Sequence, residues 1–121
     1  MTPHPLAVLA MLAAAMDPLA PGQMAGTWSV SGPVNPTCHF TQAGASFRGT
    51  CITPTARGVA FGTVDGDHVR WSFQAISNTD NSSGISQFVG RLDGPGHMDG
   101  AMTGTMGTGS FTAERQSPDS F

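Results

Sequence analysis

The chain has 121 residues, 39% hydrophobic and 11% charged, with 16 glycines, 9 prolines and a formal charge of −3. That length holds one domain with a modest core, and the glycine and proline content calls for many tight turns. There is no lysine, and the arginines at 48, 57, 70, 91 and 115 are scattered. That excludes the clustered basic patch a nucleic-acid surface needs, and nothing indicates peripheral membrane association.

In chain order, Leu6 to Met16 is an apolar run, too short to span a bilayer as a helix. It suits the apolar core of a secretory signal peptide, with Ala13-Ala14-Ala15 as a small-residue cleavage site. Against it stands the lack of Lys or Arg before the run. The other reading is a short N-terminal helix packed on the domain. The division expected is a signal peptide over 1–15, a linker over 16–24, a β-barrel domain over 25–115 and a disordered tail over 116–121. The expected location is periplasmic or secreted.

Beyond residue 23 no apolar pattern of helical period persists. Short alternating runs, broken by Gly, Pro, Asn and Asp, predict strands over 24–31, 37–43, 46–53, 58–64, 68–76, 85–92, 97–104 and 109–115. The short breaks favour antiparallel neighbours in sequence order. Facing residues then have a constant index sum about each turn. Around Gly44-Ala45, Cys38 faces Cys51, Phe40 faces Gly49 and Gln42 faces Phe47. Around 54–57, Cys51 faces Ala60 and Gly49 faces Gly62. Around 64–69, Val64 faces Val69, Gly62 faces Trp71 and Ala60 faces Phe73. Around 92–98, Leu92 faces Met98 and Phe88 faces Met102. Around 105–108, Met102 faces Phe111 and Met98 faces Arg115.

This register gathers Trp28, Val30, Phe40, Phe47, Val64, Val69, Trp71, Phe73, Phe88, Leu92, Met98, Met102 and Phe111 on one face and leaves the other polar. A slip of one residue would invert each strand. The fold expected is all-β: an eight-stranded antiparallel up-and-down (meander) barrel, closed so that no strand edge is exposed. An open two-layer sandwich is the alternative.

Gly26-Thr27-Trp28 at the first strand and Arg115 at the end of the last resemble the calycin superfamily, which includes the lipocalins and avidins. The resemblance covers about residues 25 to 115. It implies that Trp28 packs at the closed end of the barrel with Arg115 lying across it, a cation–π contact worth about 0.5–2 kcal/mol. Gly26-Thr27-Trp28 with Phe47 to Cys51 looks like the opening of avidins, but two tryptophans and no tyrosine carry over no biotin-binding residue. The stretch from Ala25 to Phe40 is also similar to the opening of periplasmic metalloprotease inhibitors. In those, an N-terminal segment enters the protease cleft; here that segment would be residues 16–25.

No catalytic constellation is visible, and the reading leans away from an enzyme. His39, His68 and His97 lie outward on strands without metal-ligand spacing, so no metal and no cofactor is expected. Asp65 and Asp93 sit in Asp-Gly turns whose geometry accounts for them. The remaining use is binding. A small hydrophobic molecule would lie against Phe40, Phe47, Trp71, Phe73, Phe88, Met98, Met102 and Phe111, with the inward Gly49, Gly62, Gly90 and Gly100 restoring space. The polar loop 77–84 is either a lip over the barrel or a plain hairpin loop. Outside, Ile52, Val59 and Phe61 form an apolar patch suited to homodimer formation or docking. A protein-docking module or protease inhibitor, and a filled barrel of structural or adhesive role, are the alternative functions.

Cys38 opposite Cys51 is within reach of a disulfide, which makes sense in an oxidising compartment. Two cysteines alone complete no zinc site.

Overall fold

A computed structural model describes residues 22–116. The expected signal peptide and the tail beyond Gln116 lie outside the described residues. Eight strands follow one another: β1 Gly26–Ser31, β2 Thr37–Ala43, β3 Ser46–Ile52, β4 Ala56–Asp65, β5 His68–Ser77, β6 Ser83–Leu92, β7 His97–Gly104 and β8 Gly109–Arg115. Each pairs antiparallel with the next, and β8 pairs with β1, closing an up-and-down barrel. This architecture is compatible with a calycin-like fold. Its register is staggered: Trp28 faces Cys38, Cys38 faces Cys51, Cys51 faces Gly58, Gly58 faces Ala75 and Ala75 faces Gly84. A row that starts in the middle of β1 has reached the beginning of β6. The strands are therefore tilted, as closure requires.

The alternation of the sequence decides which side chains turn inward. Val30, Phe40, Phe47, Val64, Val69, Trp71, Phe73, Phe88, Met98, Met102 and Phe111 are all buried, while their strand neighbours face out. Two hairpins depart from the index sums read from the sequence, each by two residues. Cys51 faces Gly58 and Gly49 faces Ala60. Thr53 is the reason: its N–H bonds the Ala56 carbonyl and its hydroxyl accepts the Ala56 N–H, so the turn tightens onto 53–56 and β4 begins two residues early. Likewise Met98 faces Ala113, Gly100 faces Phe111 and Met102 faces Gly109. Here the chain turns over Thr105-Met106, between Gly104 and Gly107, both at positive φ. A shift of two preserves which face each side chain occupies, so the core is unchanged.

The inward glycines do not simply enlarge the interior. A Cβ on Gly49 would stand 1.7 Å from the His39 carbonyl oxygen, and one on Gly100 2.0 Å from that of Val89. Both are places where neighbouring backbones come too close for any side chain. The loop expected over 77–84 contracts to a turn at 78–82, because β5 extends to Ser77 and β6 starts at Ser83. Asp80 orders that turn. Its carboxylate accepts the Ser82 N–H and hydroxyl, and these bonds, with the Ser77 hydroxyl, hold its carboxyl below the ordinary carboxylate range.

Cys38 and Cys51 form a disulfide across β2 and β3, their Cα atoms 4.0 Å apart. Such a bond is consistent with an extracellular or periplasmic location. Replacing both cysteines with alanine should lower the unfolding free energy by about 3 kcal/mol, the loop-closure entropy of a short loop, read from the urea midpoint. Gly49→Ala should cost at least about 2 kcal/mol in the same assay; a neutral result would contradict the close backbone approach.

Candidate functional site

The two ends of the barrel differ. At one end, residues 22–25 cross the opening before β1. Met24 is fully buried; its N–H donates to Gln42 Oε1 (2.6 Å) and its carbonyl accepts the Trp28 indole N–H (2.9 Å). Gln42 in turn donates to the Gly22 and Gly44 carbonyls, each at 2.9 Å. Arg115 faces Trp28 on β1 and its guanidinium carbon lies 5.3 Å from the indole centroid. The same guanidinium donates to the carbonyls of Gln23 (3.0 Å), Ala25 (3.1 Å) and Pro95. A Cβ on Gly26 would meet Arg115 Cδ at 3.2 Å, and Gly26 has a φ of +119°, so glycine here lets the arginine lie across the seam.

The middle of the barrel is aromatic. Trp71 stacks on Phe88 with centroids 3.8 Å apart and planes 6° from parallel. Phe40 and Phe111 meet Trp71 edge-on at 5.5 and 6.4 Å, and Phe47 meets Phe40 at 4.9 Å. Phe111 also meets Phe88 edge-on at 5.1 Å. Phe73, Met98 and Met102 are buried on the same inner face. The eight side chains named from the sequence as a ligand lining thus share one interior, where the five rings are in contact with one another.

Toward the other end the inner positions of β4, β5 and β6 shrink to Ala56, Ala75 and Ser86, all buried. Val34, from the β1–β2 connection, and Met106, from the β7–β8 turn, are half-buried against the core there. Two buried polar atoms have no hydrogen-bond partner among the described residues: the Trp71 indole Nε1 and the Ser86 hydroxyl. Trp71 faces Phe88 across β5 and β6, and Phe73 faces Ser86, so the two polar residues are diagonal neighbours on one inner wall. An unpaired buried donor costs about 1–3 kcal/mol. Sequence patterning missed this pair, since a serine at an inward position between Gly84 and Phe88 is itself the signal and reads only as an interruption of the apolar series.

On the outside, Ile52, Val59 and Phe61 are joined by Ile76, Ile85 and Val89 from β5 and β6, all 40–60% exposed. His39 is exposed and bonds Thr27. His68 sits beside Asp67 and Arg91. His97 lies 3.3 Å from Glu114 and 3.9 Å from Asp93, and ligand atoms of Asp93, His97 and Asp99 fall within 4.8 Å of one another. The linear spacing hid that group because Asp93 is in a turn and Asp99 two positions along β7. No family model, curated protein or solved structure matches the chain.

Arg115→Lys should lower stability by about 1–2 kcal/mol, measured by urea unfolding. A lysine cannot serve three carbonyls and the indole face from one planar head. An unchanged midpoint would show that the seam does not rely on the guanidinium.

Proposed function

We propose that this chain is an exported, non-enzymatic barrel of calycin type that binds one small, largely apolar molecule carrying a hydrogen-bond acceptor. The observation that carries this reading is the pair of unpartnered groups on the inner wall, Trp71 Nε1 and Ser86 Oγ. A barrel filled only for stability gains nothing from a hydroxyl at an inward position, where alanine would avoid the cost of desolvating it. A ligand acceptor reaching either group would supply the partner it lacks, and the flanking rings would take the ligand's apolar part.

Entry is best argued at the end closed by Val34 and Met106. The opposite end is tied across by Met24, Trp28, Gln42 and Arg115. Methionine is the most adaptable of the apolar side chains, so Met106 is suited to swing aside and repack on a ligand. The disulfide and the apolar N-terminal run together support export.

The test is native mass spectrometry of the disulfide-intact protein after exposure to a cell extract, followed by Trp fluorescence titration with the retained molecule. A single small adduct is expected. Ser86→Ala should weaken its binding by about tenfold while leaving the unliganded protein as stable or slightly more so. A buried water bonded to both groups, with no retained molecule, would sink the proposal.

A further inference from the structure

Independently of any interior ligand, the outer wall of β3–β6 has a composition that the rest of the surface lacks. The register sets its side chains in rows. Thr50, Val59, Gln74 and Ile85 form one row, and Arg48, Phe61, Ser72 and Gln87 the next. Beyond these, on one flank, Arg70 stands beside Val89; on the other, Arg57 stands between Ile52 and Ile76. The apolar centre is thus bordered by arginine on both sides. The outward residues of these strands include no carboxylate apart from Asp65, at the very end of β4. Among the described residues, no carboxylate forms an ion pair with Arg48, Arg57 or Arg70, whereas Arg91 is paired with Asp67 at 3.7 Å. Arg57 bonds the Asn78 side chain, a neutral partner.

Phe61 organises the surface. It walls two open grooves of about 580 and 590 Å³, one with Arg48 and Thr63, the other with Thr50 and Val59. A third groove, of about 270 Å³, runs from Phe61 to Arg70 and Val89. A half-exposed aromatic ring between grooves, with arginines beside it, is the composition of an interface anchor.

We propose that this wall docks an acidic amphipathic helix of a partner protein, its apolar stripe over Val59, Phe61 and Ile85 and its carboxylates on Arg48, Arg57 and Arg70. Two observations select that occupant. The barrel is closed, so every strand is paired on both sides and an extended peptide has no edge to join. A helix brings its own backbone hydrogen bonds and needs only side-chain contacts. Apart from Asp65 at its end, the charged side chains of the wall are also cationic. A second copy placed face to face would bring Arg48, Arg57 and Arg70 of one copy toward those of the other, with Asp65 alone at the margin to offset them, which opposes self-association through this face.

The experiment titrates isotope-labelled, disulfide-intact protein with a synthetic helical peptide bearing leucines at i, i+3, i+4 and i+7 and glutamates on both flanks. A lysine-flanked peptide, phosphatidylglycerol vesicles and sedimentation of the protein alone run alongside. The glutamate peptide should shift amide resonances of β3–β6, and its Kd should rise at least about tenfold on raising salt from low to physiological strength. Phe61→Ser and the pair Arg48→Glu with Arg70→Glu should each abolish the shifts, with the amide spectrum otherwise that of the folded barrel. Equal binding of the lysine peptide, or no binding of either peptide, would overturn the proposal, and these arms need no variant. Capture by vesicles without peptide binding would assign the wall to lipid, and self-association lost in Phe61→Ser would assign it to a second copy; either would overturn it.

Discussion

The barrel depends on the seam between its first and last strands. β1 is the shortest strand, and its pairing with β8 runs only from Trp28 with Arg115 to Ser31 with Thr112. Its pairing with β2 is equally short, four register pairs, while every junction between the other strands is longer, so β1 is the weakest member of the closed sheet. The chain reinforces it from the end. Arg115 reaches across to the carbonyls of Gln23, Ala25 and Pro95 and covers the Trp28 ring, while Met24 holds the indole N–H from the other side. The guanidinium suits this task because its donors are fixed in a plane and spread over several acceptors. Without that clasp the two strands would be free edges, each offering unpaired N–H and C=O groups to another chain.

Closure by one end leaves the other free to vary, and the interior reflects it. Large rings fill the middle. Toward the 53–56 and 78–82 turns the inner face turns small, and the plug comes from loop residues, Val34 and Met106, instead of strand residues. The disulfide braces this region, since Cys38 and Cys51 lie one row from the β3–β4 turn. The stapled wall thus stands beside an end covered by two half-buried loop side chains packed on the core.

The fold was legible in the sequence because a strand repeats every two residues, and that parity survives small errors. The turns at 53–56 and 104–107 shifted their hairpins by two, and every inward residue stayed inward. Those shifts came from local chemistry that index sums ignore: the Thr53 hydroxyl capping Ala56, and two glycines at positive φ around Met106. The pairing of Cys38 with Cys51 could be read because the turn between them is tight and symmetric. The site was far less legible. Ser86 and Trp71 become a pair only when β5 and β6 are laid side by side, and Ile76, Ile85 and Val89 join Phe61 only across three strands. Function adds no periodic signal of its own, so pattern reading recovers the barrel and misses what distinguishes its walls.

Charge is unevenly spread over the barrel surface. The chain as a whole is acidic, with a formal charge of −3, yet its β3–β5 wall carries three arginines without an ion-paired carboxylate among the described residues. The carboxylates Asp93, Asp99 and Glu114 gather around His97 on β7 and β8 and in the turn before them. Separation of this kind contributes little to stability, because exposed pairs are worth less than about 1 kcal/mol. Mixing the two signs across the surface would serve solubility equally well. What segregation adds is a directed field, which would turn an anionic partner of the kind proposed toward the arginine wall during encounter. The arginines of β3–β5 thus stand apart from the carboxylates around His97, and it is this separation, beyond the apolar patch alone, on which the docking proposal for β3–β6 rests.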